Sequence, residues 1–231
     1  MNKIKDISDP IIMNKFKRVY SPSDDSYLII DYLKENISNS HFDGLEFNNI
    51  NNILDMGTGS GIIAIFFLLI KKIFSKFNPK IYASDILEEA IVCSKLNEKI
   101  NHFEDEIKFY QSDLFNSFPK NLKHAFNIIV FNPPYLPSIE IEKVNNKKPI
   151  NFSWDGGVKG IEILERFINQ VIEFIDLSDK NSSYIYFISS SRADIKELDN
   201  LIRDRGFKRR VVKKKHIFFE DILLNKLELN K

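Results

Sequence analysis

From Ile53 to Phe131 the chain alternates short apolar runs with helical stretches, an order that few folds accommodate. Ile53–Met56, Lys80–Ser84, Ile107–Gln111 and Phe126–Phe131 read as strands, and Ile62–Phe74 and Leu87–Ile100 as helices. These strands are mostly continuous in apolar residues, as strands covered on both faces of a parallel sheet are. The pattern resumes with a helix over Gly160–Leu177, a strand at Tyr184–Ser189 and a helix over Ala193–Arg205, for which Gly206 is the expected stop. Two strands, Phe207–Val212 and Ile217–Leu227, close the chain and lie near enough in sequence to pair as a hairpin. Seven strands in this order predict an α/β fold, a doubly wound, mainly parallel sheet with an antiparallel C-terminal hairpin. Ahead of the first strand, a helix from Ser23 to about Asn36 is expected, with Asp24 and Asp25 in its first turn, followed by a polar bridge over Asn39–Asn52. Residues 1–22 read as an N-terminal extension that covers part of the surface, and 23–231 as one domain.

Composition narrows the classes of function. With 43% apolar residues the 231-residue chain can bury the core of a single domain. Lys+Arg 33 against Asp+Glu 32 leaves net charge +1, so bulk charge gives no attraction to nucleic acid. The basic run Lys208-Arg209-Arg210 and Lys213-Lys214-Lys215 is read as a solvated strand edge. One cysteine, Cys93, excludes an internal disulfide and is read as a packing residue on a helix. The most apolar stretch, Ile62 to Ile70, is stopped by Lys71-Lys72 and is too short to span a bilayer. Lys3 and Lys5 are followed by Asp6, Asp9 and Pro10, which does not make a secretory signal, so a cytoplasmic protein without a membrane partner is expected. His41, His102, His124 and His216 form no constellation and lack metal-ligand spacing, so no metal is expected.

Two segments carry chemistry. Asp55-Met56-Gly57-Thr58-Gly59-Ser60-Gly61 lies at the first strand–helix turn, where glycines let the chain turn tightly and let a ligand approach the backbone. A dinucleotide fingerprint would need Gly or Ala at Ile62, and a phosphate loop would need Gly-Lys-Ser/Thr; neither pattern is met. Asp85 and Asp113 follow the second and third strands on the same rim, where open α/β sheets bind ligands. Asn132-Pro133-Pro134-Tyr135 follows the fourth strand. Proline fixes its own φ and has no N–H, so the Pro133 carbonyl can point outward beside the Asn132 amide oxygen. Two such acceptors suit a planar NH2 group, as on a glutamine amide or the exocyclic amine of adenine.

The acidic-x-Gly-x-Gly-x-Gly segment resembles motif I of class I, Rossmann-like S-adenosylmethionine-dependent methyltransferases. With Asn132-Pro133-Pro134-Tyr135 added, the chain resembles their amino-methylating branch, which includes HemK-type glutamine methyltransferases and adenine-N6 DNA methyltransferases. Val19-Tyr20-Ser21-Pro22-Ser23-Asp24-Asp25-Ser26 is similar to the Val-Tyr-x-Pro-x-Glu-Asp-Thr segment of the archaeal and eukaryotic HemK-like group. Trp154-Asp155-Gly156-Gly157-Val158-Lys159-Gly160 is similar to that group's Trp-x-Gly-Gly-x-x-Gly, and Lys214–Asp221 also resembles its archaeal members. Asp24 stands for Glu, Ser26 for Thr, and Leu136 for the Val or Ile common after the Tyr; Ser138–Ser153 matches nothing in the group.

The resemblance implies S-adenosylmethionine as cofactor, contacted by Ser26, Asp55, Gly57, Gly59, Gly61, Asp85, Asp113, Leu114 and Asn132. Asp85 would accept the ribose hydroxyls, Asp113 the adenine amine with Leu114 against the ring, and Asp55 would lie near the methionine ammonium. It implies methylation of the side-chain amide of the glutamine in a Gly-Gly-Gln motif of a translation release factor. The alternative is adenine-N6 methylation of DNA or RNA. Asn132, Pro133, Pro134 and Tyr135 are the expected catalytic residues. Asn132 and the Pro133 carbonyl would hold the two amide hydrogens while Tyr135 packs against the amide plane. No general base is in evidence, so orientation would carry catalysis, a contribution of about 7–11 kcal/mol in favourable cases. Bacterial HemK enzymes carry an added helical domain for which the residues before Val19 leave no room. The compact group typically works with a small zinc-binding activator, expected to pair at the outermost strand, along Ile107-Lys108-Phe109-Tyr110.

Overall fold

The computed structural model describes residues 7–138, 155–178 and 183–230. Its elements run α1 (Asp24–Glu35), β1 (His41–Phe42), β2 (Leu45–Glu46), β3 (Asn52–Met56), α2 (Ile62–Ile73), β4 (Lys80–Asp85), α3 (Glu88–Ile100), β5 (Ile107–Gln111), β6 (Ile128–Phe131), α4 (Glu162–Val171), β7 (Tyr184–Ser190), α5 (Ile195–Asp204), β8 (Phe207–Ile217) and β9 (Glu220–Leu229). Seven strands form one sheet in the order β5-β4-β3-β6-β7-β9-β8. The first five of these are parallel neighbours, while β9 runs antiparallel to both β7 and β8. The chain winds outward from β3 to β5, then returns to lay β6 on the other side of β3. That reversal opens the crevice between the carboxyl ends of β3 and β6 where doubly wound sheets bind ligands.

Successive residues of a strand point to opposite faces, and the core divides accordingly. Ile53, Ile81, Ile128, Val130, Tyr186 and Ile188 pack with α1 and α2 on one face. Leu54, Tyr82, Ile129, Phe131, Ile185 and Phe187 pack with Leu164, Phe167 and Ile168 of α4 and with Leu198 and Ile202 of α5 on the other. Helix α2 is apolar from Ile62 to Ile70 and buried over Ile62–Leu68 and at Ile70, as that run requires, while Lys71 and Lys72 stand in its last turn. Cys93 is buried on α3.

Several boundaries differ from the sequence reading. The polar bridge over 39–52 contains the small β1–β2 hairpin, closed by Asp43 and Gly44 at positive φ. Phe42, Leu45 and Phe47 are buried, with Phe42 against Phe67, Phe77 and Tyr186. Isolated apolar residues between polar ones carry no period, which is why the segment read as a loop. Helix α4 begins at Glu162 and ends at Val171 rather than running over 160–177, because Phe174 and Ile175 turn back to pair with the residues before β6. The terminal hairpin is longer than expected, spanning Phe207–Ile217 and Glu220–Leu229. The second half of β8 is polar and read as loop. It stays extended because β9 pairs with it throughout, across one irregularity between Val211 and Lys213. Among the described residues no helix is long and apolar enough to cross a membrane.

Candidate functional site

A cavity of about 360 Å³ opens where β3, β4, β5 and β6 deliver their loops. Its floor is the glycine turn. Gly59 has φ +54 and donates its N–H to Asp85 Oδ2 at 2.9 Å, while Thr58 donates its N–H to the Ser84 carbonyl. Gly61, at φ +87, is a different case and does not line the cavity. A Cβ there would stand 2.2 Å from Ser94 Oγ, so this glycine lets the start of α2 lie against α3.

Three carboxylates surround the floor in different electrostatic settings. Asp55 is buried, and its Oδ2 accepts from Thr58 Oγ1 at 2.7 Å and from the Ala64 N–H at 3.1 Å. Burial outweighs those two bonds and pushes its carboxyl up to about 7. Asp85 is likewise raised by burial, although Leu87 and Gly59 donate backbone N–H groups to it. Asp113 lies at the more open end, where Arg166 of α4 reaches across to its Oδ2 at 2.5 Å. The buried Leu114 sits beside it. Arg166 also lines the cavity and was not singled out in the sequence; nothing local marks it, since its partner is 53 residues away.

The residues before α1 form one wall. Asn101 Oδ1 accepts from the Ile11 N–H and its amide donates back to the Ile11 carbonyl, both at 2.8 Å. Asn97, one turn earlier on α3, accepts from the Met13 N–H and donates to the Ser60 carbonyl. This ladder brings Arg18, Val19, Tyr20 and Pro22 to the cavity.

The far end of the cavity is built on Asp25, which the sequence placed in the first turn of a helix and in the family-like Val19–Ser26 segment without a site role. It is buried at 3% exposure and accepts from the hydroxyls of Tyr20 and Tyr135, each at 3.1 Å, and from the Ser26 N–H at 2.6 Å. Burial, and then the Asp25 charge, raise both phenols well above the ordinary tyrosine range, so they stay protonated as donors. Asn132 lines the cavity; its Nδ2 faces Ser26 Oγ at 3.4 Å, and its buried Oδ1 has no hydrogen-bond partner. Among the described residues the Pro133 carbonyl also receives no donor. The Asn132 acceptor is therefore unmet in a setting where buried polar groups are ordinarily satisfied. Tyr135 does not line the cavity; its ring packs against the core and its hydroxyl is turned to Asp25.

The Asp155–Gly160 segment explains its own glycines. Leu136 bridges Asp155, and the Gly156 N–H donates to the Leu136 carbonyl at 2.8 Å. A Cβ on Gly156 would come to 3.0 Å from the Pro134 carbonyl, and one on Gly160, at φ +71, to 2.9 Å from the Tyr135 carbonyl. These glycines press the Pro-Pro-Tyr backbone into place. Trp154 and the loop over 139–154 lie outside the described residues.

Comparison with known proteins follows the same lines. Residues 34–148 match the family model described as a methyltransferase small domain. A Methanocaldococcus jannaschii protein bearing the name of a protein N5-glutamine methyltransferase is 32% identical over 206 residues, 89% of each chain. The eRF1 methyltransferase catalytic subunit mtq2 of Schizosaccharomyces pombe is 23% identical over 87% of this chain and 85% of its own. Among solved structures, the Mtq2–Trm112 complex of E. cuniculi, responsible for methylation of the eRF1 termination factor, contains a chain of the same fold. It superposes at TM-score 0.61 and 22% identity, over 92% of this chain and 99% of that one.

Proposed function

The chain belongs to the HemK-like glutamine methyltransferase family, and from that premise we propose that it uses S-adenosylmethionine to methylate the amide nitrogen of the glutamine in a Gly-Gly-Gln loop of a translation release factor. The observation that carries this reading is the buried, unpartnered Oδ1 of Asn132 beside the Pro133 carbonyl. With the neighbouring Pro133 carbonyl as a second acceptor, it would match the two hydrogens of a primary amide.

The residues present fit the cofactor. A glycine turn that tolerates close approach, with buried Asp55 and half-buried Asp85 facing the same cavity, suits a ligand bearing an ammonium and a diol. Asp55 would hold the ammonium, Asp85 the ribose hydroxyls, and Asp113 with Leu114 the adenine. When bound, S-adenosylmethionine supplies a methyl group on positively charged sulfur. Asn132 and Pro133 would draw the amide hydrogens toward themselves, which raises electron density on nitrogen and fixes its direction. Asp25, through Tyr135 and Ser26, holds that pair of acceptors still, so little reorganisation is needed at the moment of transfer. The adenine alternative is less favoured: Arg209, Arg210, Lys213, Lys214 and Lys215 are each ion-paired, to Asp199, Glu228, Glu35, Asp221 and Asp24 respectively. Such pairing leaves Lys208 as the run's one cation without an ion pair among the described residues and weakens its phosphate-binding reading.

We also propose a small zinc-binding activator along β5. This strand is outermost, only five residues long, and offers Lys108 as its one charged side chain. Strand addition there would satisfy its open backbone groups.

Replacing Asn132 by Ala tests the acceptor pair. Turnover on a release factor is expected to fall by about 10²–10³-fold, the loss typical of a preorganised polar group facing the reacting centre. Calorimetry should find cofactor affinity within about tenfold of wild type, one such factor being about 1.4 kcal/mol. Near-normal turnover would contradict the reading.

A further inference from the structure

Phe218 and Phe219 form the two-residue turn between β8 and β9 and are 86% and 94% exposed, more than any other large apolar residue described. Phe218 also has φ +50, a conformation that L side chains avoid and that hairpin turns normally assign to Gly, Asn or Asp. Two independent costs thus fall on one dipeptide: a strained backbone and two aromatic rings in water. Among the described residues, no ring contact or burial offsets either cost.

The turn stands beside the acceptor end of the site. Ser190, at the carboxyl end of β7, pairs with Ile222, its hydroxyl contacts the Glu220 carboxylate, and the Ser191 N–H donates to the Asp221 carbonyl at 2.9 Å. Because β7 is parallel to β6, that end of β7 shares the rim onto which Asn132 opens. In register terms the turn rises about five residues, roughly 15 Å, beyond the level of Asn132. It lies on the flank away from β4 and β5, so a molecule in the cavity leaves it uncovered. Glu220 is near enough for its charge to act on the Tyr135 hydroxyl.

The charges around the turn are already matched. Lys214 and His216 pair with Asp221, and Lys215 pairs with Asp24 of α1. What the turn presents is therefore apolar, with the hairpin pinned to the helix that carries Asp25 and Ser26. The described cations of the hairpin near the turn, Lys214, Lys215 and His216, are thus ion-paired, and the two rings it presents fit an apolar depression on a folded protein.

From this juxtaposition we propose that the Phe218-Phe219 turn is a docking element for the protein substrate, gripping the body of the release factor while its glutamine-bearing loop enters at Asn132. This rests on the functional reading above. It explains how a compact catalytic chain recognises a large folded substrate whose reacting group is one planar amide.

The test is the double variant Phe218→Asn with Phe219→Gly, which installs the residues such turns prefer and touches nothing in the cavity. Its melting temperature is expected to equal or exceed that of wild type, and its affinity for S-adenosylmethionine to be unchanged. KM for an intact release factor should rise at least tenfold, with kcat within about threefold. An unchanged KM, with wild type active, would overturn the docking element and leave the functional reading standing. A wild-type protein inactive on every release factor would sink both. Sedimentation of the two proteins adds a separate outcome: a wild-type dimer that the variant loses would mean a second copy covers the turn, and would also overturn the proposal.

Discussion

Asp55 and Asp25 are both buried carboxylates, yet they do opposite work. Asp25 is saturated with donors from Tyr20, Tyr135 and Ser26 and is structural scaffolding for the acceptor pair. Asp55 has two donors and a value lifted to about 7 from 3.8 by burial. Since its folded value lies above the unfolded one, the fold holds this proton more tightly. The contribution of this group to stability is therefore present below about pH 4 and is lost as pH rises towards about 7. A cation placed beside Asp55 favours the ionised form, so the sign for ligand binding is reversed. Affinity for S-adenosylmethionine should climb with pH by up to about tenfold per unit below pH 7 and level off above it. In Asp55→Asn that climb should disappear from titration calorimetry across pH 5.5 to 8; an identical slope in the variant would remove Asp55 from the ammonium site. The legibility of these residues in the sequence follows from contact distance. Asp55, Gly59 and Asp85 are marked by their position at strand ends, a local signal. Asp25 with Tyr135 and Asp113 with Arg166 meet only through the tertiary fold, 110 and 53 residues apart, and no period or spacing announces them.

At the scale of the element, three glycines in similar-looking motifs have separable roles. Gly61 lets two helices touch, whereas Gly156 and Gly160 let one loop press on another. Gly61→Ala introduces a Cβ 2.2 Å from Ser94 Oγ at a left-handed φ. A loss of about 1–3 kcal/mol is expected in denaturant unfolding, with activity retained in the folded fraction. Gly160→Ala pushes instead on the Tyr135 carbonyl, and should lower turnover by an order of magnitude or more, since misplacement of about 1 Å can cost 10²-fold. If the two variants showed the same balance of stability and activity loss, this division of roles would fail. The strand–helix alternation is readable because burial on two faces demands continuous apolar runs. The β1–β2 hairpin and the second half of β8 are not, because Phe42, Leu45 and the paired cations of β8 obtain their setting from distant partners.

For the whole molecule, the two sheet edges are unlike. Edge strand β8 is tied down, with Lys213 on Glu35 and Lys215 on Asp24 drawing it to α1. Edge strand β5 has no comparable clamp among the described residues and is the edge proposed for a partner strand. Adding the proposed activator should raise the melting temperature as its occupancy rises, with about 2.7 kcal/mol of stabilisation at a hundredfold excess over Kd. Sheet order up to β6 was predictable from the winding of strand–helix units. The insertion of β9 between β7 and β8 was not, because a hairpin pairs with itself equally well on either side. Edges, rim and cavity together frame one reaction, transfer of a methyl group to a planar amide. Peptide fragmentation mass spectrometry of a release factor, after incubation with this protein and S-adenosylmethionine, reads that outcome residue by residue. One methyl group on the side-chain nitrogen of the Gly-Gly-Gln glutamine, absent when that glutamine is replaced, is the expected result. An unmodified glutamine, with label found instead on lysine or on added DNA, would contradict it.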